Sequence, residues 1–175
     1  MKYLYLLLLV SLVSFAGCTT GKDTGDAEAA GSDSLGQTAA AAETASDYES
    51  GAWITDYDLA LQYAQELDRP VLINFTGSDW CSWCIKLKNE VFTQDAWQKY
   101  AQDNLVLLTV DFPNKKKLPP AEQAANQALA EKYEIEGFPT IVLVDAAGKE
   151  LARTGYQYGG PEKYVQHVQE LLSDK

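Results

Sequence analysis

An α/β fold, with one mixed central sheet and helices on both of its faces, is predicted by three observations. The runs 71–75, 105–110 and 141–144 are apolar, rich in Val, Ile and Leu, and short enough to be buried strands. The first two are separated by enough chain for a helical crossover, which makes them parallel. The third leads straight into Asp145-Ala146-Ala147-Gly148, a hairpin turn, so the sheet closes with antiparallel strands.

Ahead of that domain, Lys2 is followed by a dense apolar stretch, 4–15, which has the form of a secretory signal and is too short to span a bilayer. It ends in Phe15-Ala16-Gly17-Cys18, which resembles the lipobox of bacterial lipoproteins, with Phe15 where Leu is usual. The resemblance implies a signal peptide over 1–17, Cys18 as the lipidated N-terminus, and attachment to the cell envelope facing the periplasm. Thr19, in place of an aspartate, implies the outer membrane if the host has one. The alternative is an ordinary signal peptide that leaves Cys18 as a free thiol. From 18 to 50 the composition turns to Ala, Gly, Ser, Thr, Asp and Glu, which cannot bury a core. A flexible coil of that length separates its ends by roughly 30 Å, enough to hold a domain off a membrane surface. The remainder, 51–175, suits one globular domain.

Within it, Thr55 followed by Asp58 offers a helix start, and Leu59, Tyr63 and Leu67 share one face of that helix until Arg69-Pro70 stops it. After the strand 71–75, the turn Gly77-Ser78-Asp79 leads to Trp80-Cys81-Ser82-Trp83-Cys84 at the mouth of a helix that buries Leu87 and Val91. Thr93 reads as a fresh N-cap, opening a second short helix with Trp97 and Tyr100 before the strand 105–110. Pro119-Pro120 opens an alanine-rich helix through Tyr133, and Phe138-Pro139-Thr140 introduces the strand 141–144. The hairpin returns along 149–154. Pro161 then starts a last helix with Val165, Val168, Leu171 and Leu172 inward.

Two thiols three positions apart at a helix mouth read as a redox pair. Unpaired N–H groups and the partial positive charge there stabilise a thiolate. Thiols so placed drop from a pKa of about 8.5 to roughly 3.5–7.5. Cys81 is thus the candidate attacking thiolate, and Cys84, one turn further in, the shielded resolving thiol of thiol–disulfide exchange. A structural disulfide over so short a loop would constrain little chain. Closed zinc sites want four ligands, and His167, which reads as a surface residue, is far from the pair, so no metal is expected in the domain alone, a dimer sharing two cysteine pairs being the alternative. No cofactor is expected either. Trp80 and Trp83 flank the thiol and cannot both be buried, so they are candidates for an apolar docking surface. A formal net charge of −11 argues against nucleic acid as a partner, and Lys115-Lys116-Lys117 reads first as a solvated turn.

With these motifs in this order, the domain from about Trp53 onward resembles the thioredoxin-like superfamily, and within it bacterial exported proteins that share Phe75-Thr76-Gly77-Ser78-Asp79-Trp80-Cys81 through Lys86 and Asp111-Phe112-Pro113. The resemblance implies that Pro139 is cis, packs against the cysteine pair and clamps an extended substrate, with Phe138 lining the groove and the loop from Gly155 bordering it. It implies a protein-disulfide oxidoreductase acting on exported proteins, as a reductase supplied by an unidentified electron donor and held near the membrane by its lipid anchor. Oxidase or isomerase action, and a non-catalytic binding module on the same scaffold, are the alternatives. Two departures bear on mechanism. The dipeptide between the cysteines is Ser82-Trp83, not Gly-Pro. Asn74 stands where thioredoxins bury an aspartate and cannot take a proton from Cys84, so a water, Lys86 or another carboxylate must assist.

Overall fold

The apolar runs become a five-stranded sheet in which Trp53–Ile54 lies at one edge, followed by Val106–Asp111, Val71–Thr76 and Thr140–Val144, with Glu150–Thr154 at the other edge. The structure, a computed structural model, describes residues 47–173. The signal segment 1–17, Cys18 and the tether up to 46 lie outside the described residues. The elements are β1 (Trp53–Ile54), α1 (Tyr57–Leu67), β2 (Val71–Thr76), α2 (Ser82–Leu87) with a π-helical turn (Lys88–Phe92), α3 (Asp95–Asn104), β3 (Val106–Asp111), α4 (Pro120–Lys132), β4 (Thr140–Val144), β5 (Glu150–Thr154) and α5 (Gly160–Ser173).

Strand β2 is the centre. It pairs parallel with β3 from Val71↔Val106 to Thr76↔Asp111, and antiparallel with β4 from Val71↔Val144 to Phe75↔Thr140. The mixed sheet and the hairpin β4–β5 are as expected. The side-chain period of two then sorts each strand between two cores. Val71, Ile73 and Phe75 face α1 and α4, where Ala60, Tyr63, Leu129 and Tyr133 cover them. Leu72, Leu107, Ile141 and Leu143 face the other way, against Leu87, Phe92, Trp97, Tyr164 and Val168 from α2, its π turn, α3 and α5. By the same parity Asn74 and Thr76 fall on the α2 side of β2, beneath the cysteine turn.

Several local expectations are corrected. Strand β1 was not expected; its two residues pair parallel with Leu107 and Leu108. The N-cap of α1 is Asp56, whose carboxylate accepts the N–H of Leu59 at 3.0 Å, instead of Thr55. The inner face of α1 is Ala60, Tyr63 and Ala64, so small residues bring the helix onto the sheet and leave Leu59 and Leu67 at the margin. Thr93 does not cap α3. Its N–H closes the π turn on the Lys88 carbonyl at 3.0 Å and its hydroxyl donates to the Asn89 carbonyl at 3.2 Å, so Gln94 takes the N-cap position without a side-chain capping bond. On α5 the fully buried residues are Tyr164 and Val168, whereas Val165, Leu171 and Leu172 are partly covered.

Candidate functional site

The end of β2 and the start of α2 together aim the cysteines. The chain leaves Thr76 through a turn in which the N–H groups of Trp80 and Cys81 both donate to the Gly77 carbonyl, at 3.3 and 2.9 Å. Cys81 is then the N-cap of α2, with extended backbone, and its Sγ accepts the backbone N–H of Cys84 at 3.2 Å. The two residues are joined as a disulfide with Cα atoms 5.2 Å apart. The expectation of an accessible Cys81 is modified in this oxidised state. Cys81 is 7% exposed and Cys84 5%, while Trp80 and Trp83 beside them are 46% and 45% exposed. The surface at the pair therefore belongs to the two indoles, which form separate walls.

On the first wall, Trp80 lies across Gly77, where a side chain would collide with the indole. Its Nε1 donates to the Phe112 carbonyl at 2.7 Å, and its ring meets Phe138 edge-on at 5.9 Å, with Phe112 packed on Phe138 at 5.2 Å. Phe138–Pro139 is a cis peptide. The pairing Phe75↔Thr140 sets Pro139 beside the end of β2 from which the cysteine turn departs. Gly155 is adjacent, since a Cβ there would approach the Pro139 carbonyl oxygen at 3.3 Å. The topology thus gathers Trp80, Phe138, Pro139 and Gly155 at one end of the sheet.

The second wall is Trp83 with the loop after β5. Its ring packs on Tyr156 at 5.2 Å and Tyr158 at 6.3 Å. The Lys86 ammonium sits 5.1–5.3 Å from the centroids of all three rings and 3.9 Å from the Glu90 carboxylate. Tyr156 donates to Glu90, and this bond to a carboxylate raises the phenol above its ordinary range. The tyrosines and Glu90 are contacts that the residue pattern did not reveal, because they join α2 to a loop more than sixty residues away.

Behind the disulfide a cavity of about 340 Å³ is lined by Cys84, Asn74, Thr76, Lys88, Trp97 and Thr109 among others. Two buried polar atoms on it, Asn74 Oδ1 and Trp97 Nε1, have no hydrogen-bond partner among the described residues. Asn74 thus sits in one cavity with Cys84, as the sequence implied, but Lys86 does not: it is held on the aromatic rings, and Lys88 is the lysine that lines the cavity.

In front of Trp80, the 112–117 loop is fastened to the cysteine turn. The Asp79 carboxylate accepts the backbone N–H groups of Asn114, Lys115 and Lys116 at 2.8, 2.7 and 3.1 Å, and these bonds, the Asn114 bond foremost, hold its carboxyl below the usual range. Asp111 accepts both the N–H and the hydroxyl of Ser78, at 2.9 and 2.6 Å. His167, expected as a surface residue, is half-buried, with Nε2 at 2.8 Å from the Thr154 hydroxyl. Among the described residues no group of three or more His, Cys, Asp or Glu side chains is placed to hold a metal ion.

The sequence profile of the Thioredoxin-like domain family matches residues 57–171. Disulfide bond reductase DsbH of Chlamydia pneumoniae is 39% identical over 116 residues, which cover 66% of this chain and 70% of that protein. Thioredoxin-related protein DsbJ of the same organism is 32% identical over 109 residues, 62% of this chain but 31% of that longer protein. Among solved structures, a DsbH oxidoreductase superposes with a TM-score of 0.67 at 37% identity, covering 71% of this chain and 85% of its own. A thioredoxin from Thermus thermophilus superposes at 0.52 and 21% identity, covering 70% and 87%, a likeness of fold.

Proposed function

The chain belongs to the thioredoxin-like family, and on that premise we propose that it is a thiol–disulfide oxidoreductase that reduces disulfides of exported proteins through Cys81 and Cys84. The observation that carries this reading is the position of Cys81 Sγ, at the cap of α2 and in line with a backbone N–H that continues to stabilise negative charge when the disulfide opens. In the reduced protein the Cys81 thiolate attacks one sulfur of a substrate disulfide, forming a mixed disulfide and expelling the first substrate thiolate. Cys84, having lost its proton, then attacks Cys81 Sγ, restores the intramolecular disulfide and releases the second substrate thiolate. Two electrons pass from the dithiol to the substrate, and a donor in the envelope returns them.

The walls supply the substrate-binding roles. Trp80 and Phe138 bound one side of an extended polypeptide, Trp83 the other, and the backbone at Pro139 and Gly155 pairs with it. A lipid anchor on Cys18, exposed by removal of the signal segment, holds the domain facing the periplasm, within reach of a membrane electron source. The reductase direction is supported by the name borne by DsbH, a relative that aligns along most of its length.

The decisive experiment is the reduction potential of the Cys81/Cys84 couple, measured in the full chain carrying Cys18→Ser by equilibration with dithiothreitol and glutathione buffers. A value near −270 mV supports a reductase and one near −120 mV an oxidant. A pair that does not cycle overturns the redox reading.

A further inference from the structure

Beside the disulfide, a cleft of about 560 Å³ lies between Trp80 and the segment 111–120, and it is lined by Phe112, Leu118, Lys116 and Lys117 among others. Its apolar wall is the Trp80 indole, one residue from Cys81 and fixed by its bond to the Phe112 carbonyl. Its charged wall is the lysine run. Lys115 faces the Asp79 carboxylate, which lies under the loop. Lys116 and Lys117 are exposed and have no ion pair or side-chain hydrogen bond among the described residues. The two neighbouring carboxylates pair with neither ammonium: Asp79 accepts three backbone N–H groups of this loop, and Asp111, which also lines the cleft, accepts from Ser78. A chain with 25 acidic and 14 basic residues therefore places two unpaired lysines on the lining of an aromatic cleft beside its redox site.

We infer that this cleft is a docking subsite for an acidic segment of the disulfide-bearing polypeptide, an apolar side chain lying against Trp80 and Phe112 while carboxylates meet Lys116 and Lys117. Charge complementarity selects this occupant. Most of the surface repels an acidic segment, and the lysine loop attracts it beside the disulfide. Asp79 makes the site a fixed one, because the backbone that carries the lysines is tied two residues upstream of Cys81. The inference rests on the oxidoreductase reading above.

The test uses the full chain, reduced and freed of reductant, in single-turnover exchange with three oxidised compounds. Two are synthetic peptides with the same disulfide and aromatic neighbour, one flanked by glutamates and one by lysines, and the third is the neutral bis(2-hydroxyethyl) disulfide. The variant K116Q/K117Q is compared with K99Q/K149Q, which removes the same charge from two exposed lysines, one on α3 and one in the β4–β5 turn. At low salt, K116Q/K117Q is expected to slow exchange with the acidic peptide on the order of fivefold, with K99Q/K149Q changing it less than about twofold. Exchange with the neutral disulfide is expected to stay at the wild-type rate in both. Equal slowing by the two variants, or none, with neutral exchange intact, overturns the subsite and leaves the redox reading standing. A wild-type chain that exchanges with none of the three compounds overturns both.

Discussion

The N–H of Cys84 and the sulfur of Cys81 face one another across 3.2 Å, so the helix that holds the second cysteine also solvates the first. Cys84 has no such donor among the described residues and backs onto the cavity beneath it. In the reduced chain, iodoacetamide at neutral pH should therefore modify Cys81 at least on the order of tenfold faster than Cys84. Peptide mapping by mass spectrometry reads the two sites separately, and equal labelling would contradict this division of roles. Cys84→Ser should accumulate the mixed disulfide with substrate, because nothing remains to resolve it.

Asn74→Asp tests the cavity. The side-chain oxygen at this position is buried and unpartnered, so a carboxylate there is disfavoured and its folded pKa should lie above the unfolded value of about 3.9. A raised carboxyl pKa withdraws stability as pH rises, by about 1.4 kcal/mol for each tenfold tightening of the proton's hold in the folded chain. Urea unfolding of the variant should match wild type more closely at pH 4 than at pH 7.5. The aspartate also offers the proton acceptor that Asn74 cannot be, so resolution of the mixed disulfide should quicken at neutral pH.

Gly77→Ala tests the first wall. The added methyl occupies space held by the Trp80 indole, which must swing away and give up its bond to Phe112. A cost of about 1–3 kcal/mol is expected from unfolding curves. Exchange with peptide disulfides should fall more than exchange with bis(2-hydroxyethyl) disulfide, since the small compound needs no wall.

Tyrosines govern the alkaline limit. Burial raises the phenols of Tyr164 and Tyr133, with the bond to Tyr57 adding to the rise in the second. A raised folded pKa means that stability is complete below the unfolded value of about 10 and drains away above it. Tyr164→Phe should cost about 1 kcal/mol at pH 7, where the hydroxyl donates to the Gly155 carbonyl at 3.1 Å. The same variant should flatten the decline above pH 10, by up to about 1.4 kcal/mol per pH unit. Chemical denaturation across pH 7–11 checks both signs.

What could be read from the sequence was local. The strands β2, β3 and β4 announced themselves by short runs dominated by Val, Ile and Leu, and the cysteine pair by its place between a strand and a helix. Strand β1 was invisible because two residues carry no period. Thr93 has the residue type of an N-cap, but its hydroxyl turns back to the Asn89 carbonyl four residues earlier, so it closes one helix instead of opening the next. The fastening of Lys115 and Lys116 to Asp79 spans 36 and 37 residues, and the Trp83–Tyr156 contact is longer still. Such pairings depend on how the sheet folds back, so the composition of either partner says nothing about them.

Strand β1 has one more implication. It shields β3 only at Leu107 and Leu108, yet β3 runs on to Asp111, where the Asn126 amide, almost wholly buried, donates to the main-chain carbonyl at 2.9 Å. A side chain on α4 thereby stands in for a strand partner at this carbonyl. The Asp111 carbonyl is already taken by this internal donor and is therefore withdrawn as an acceptor from any strand that a neighbouring molecule might lay along the end of β3.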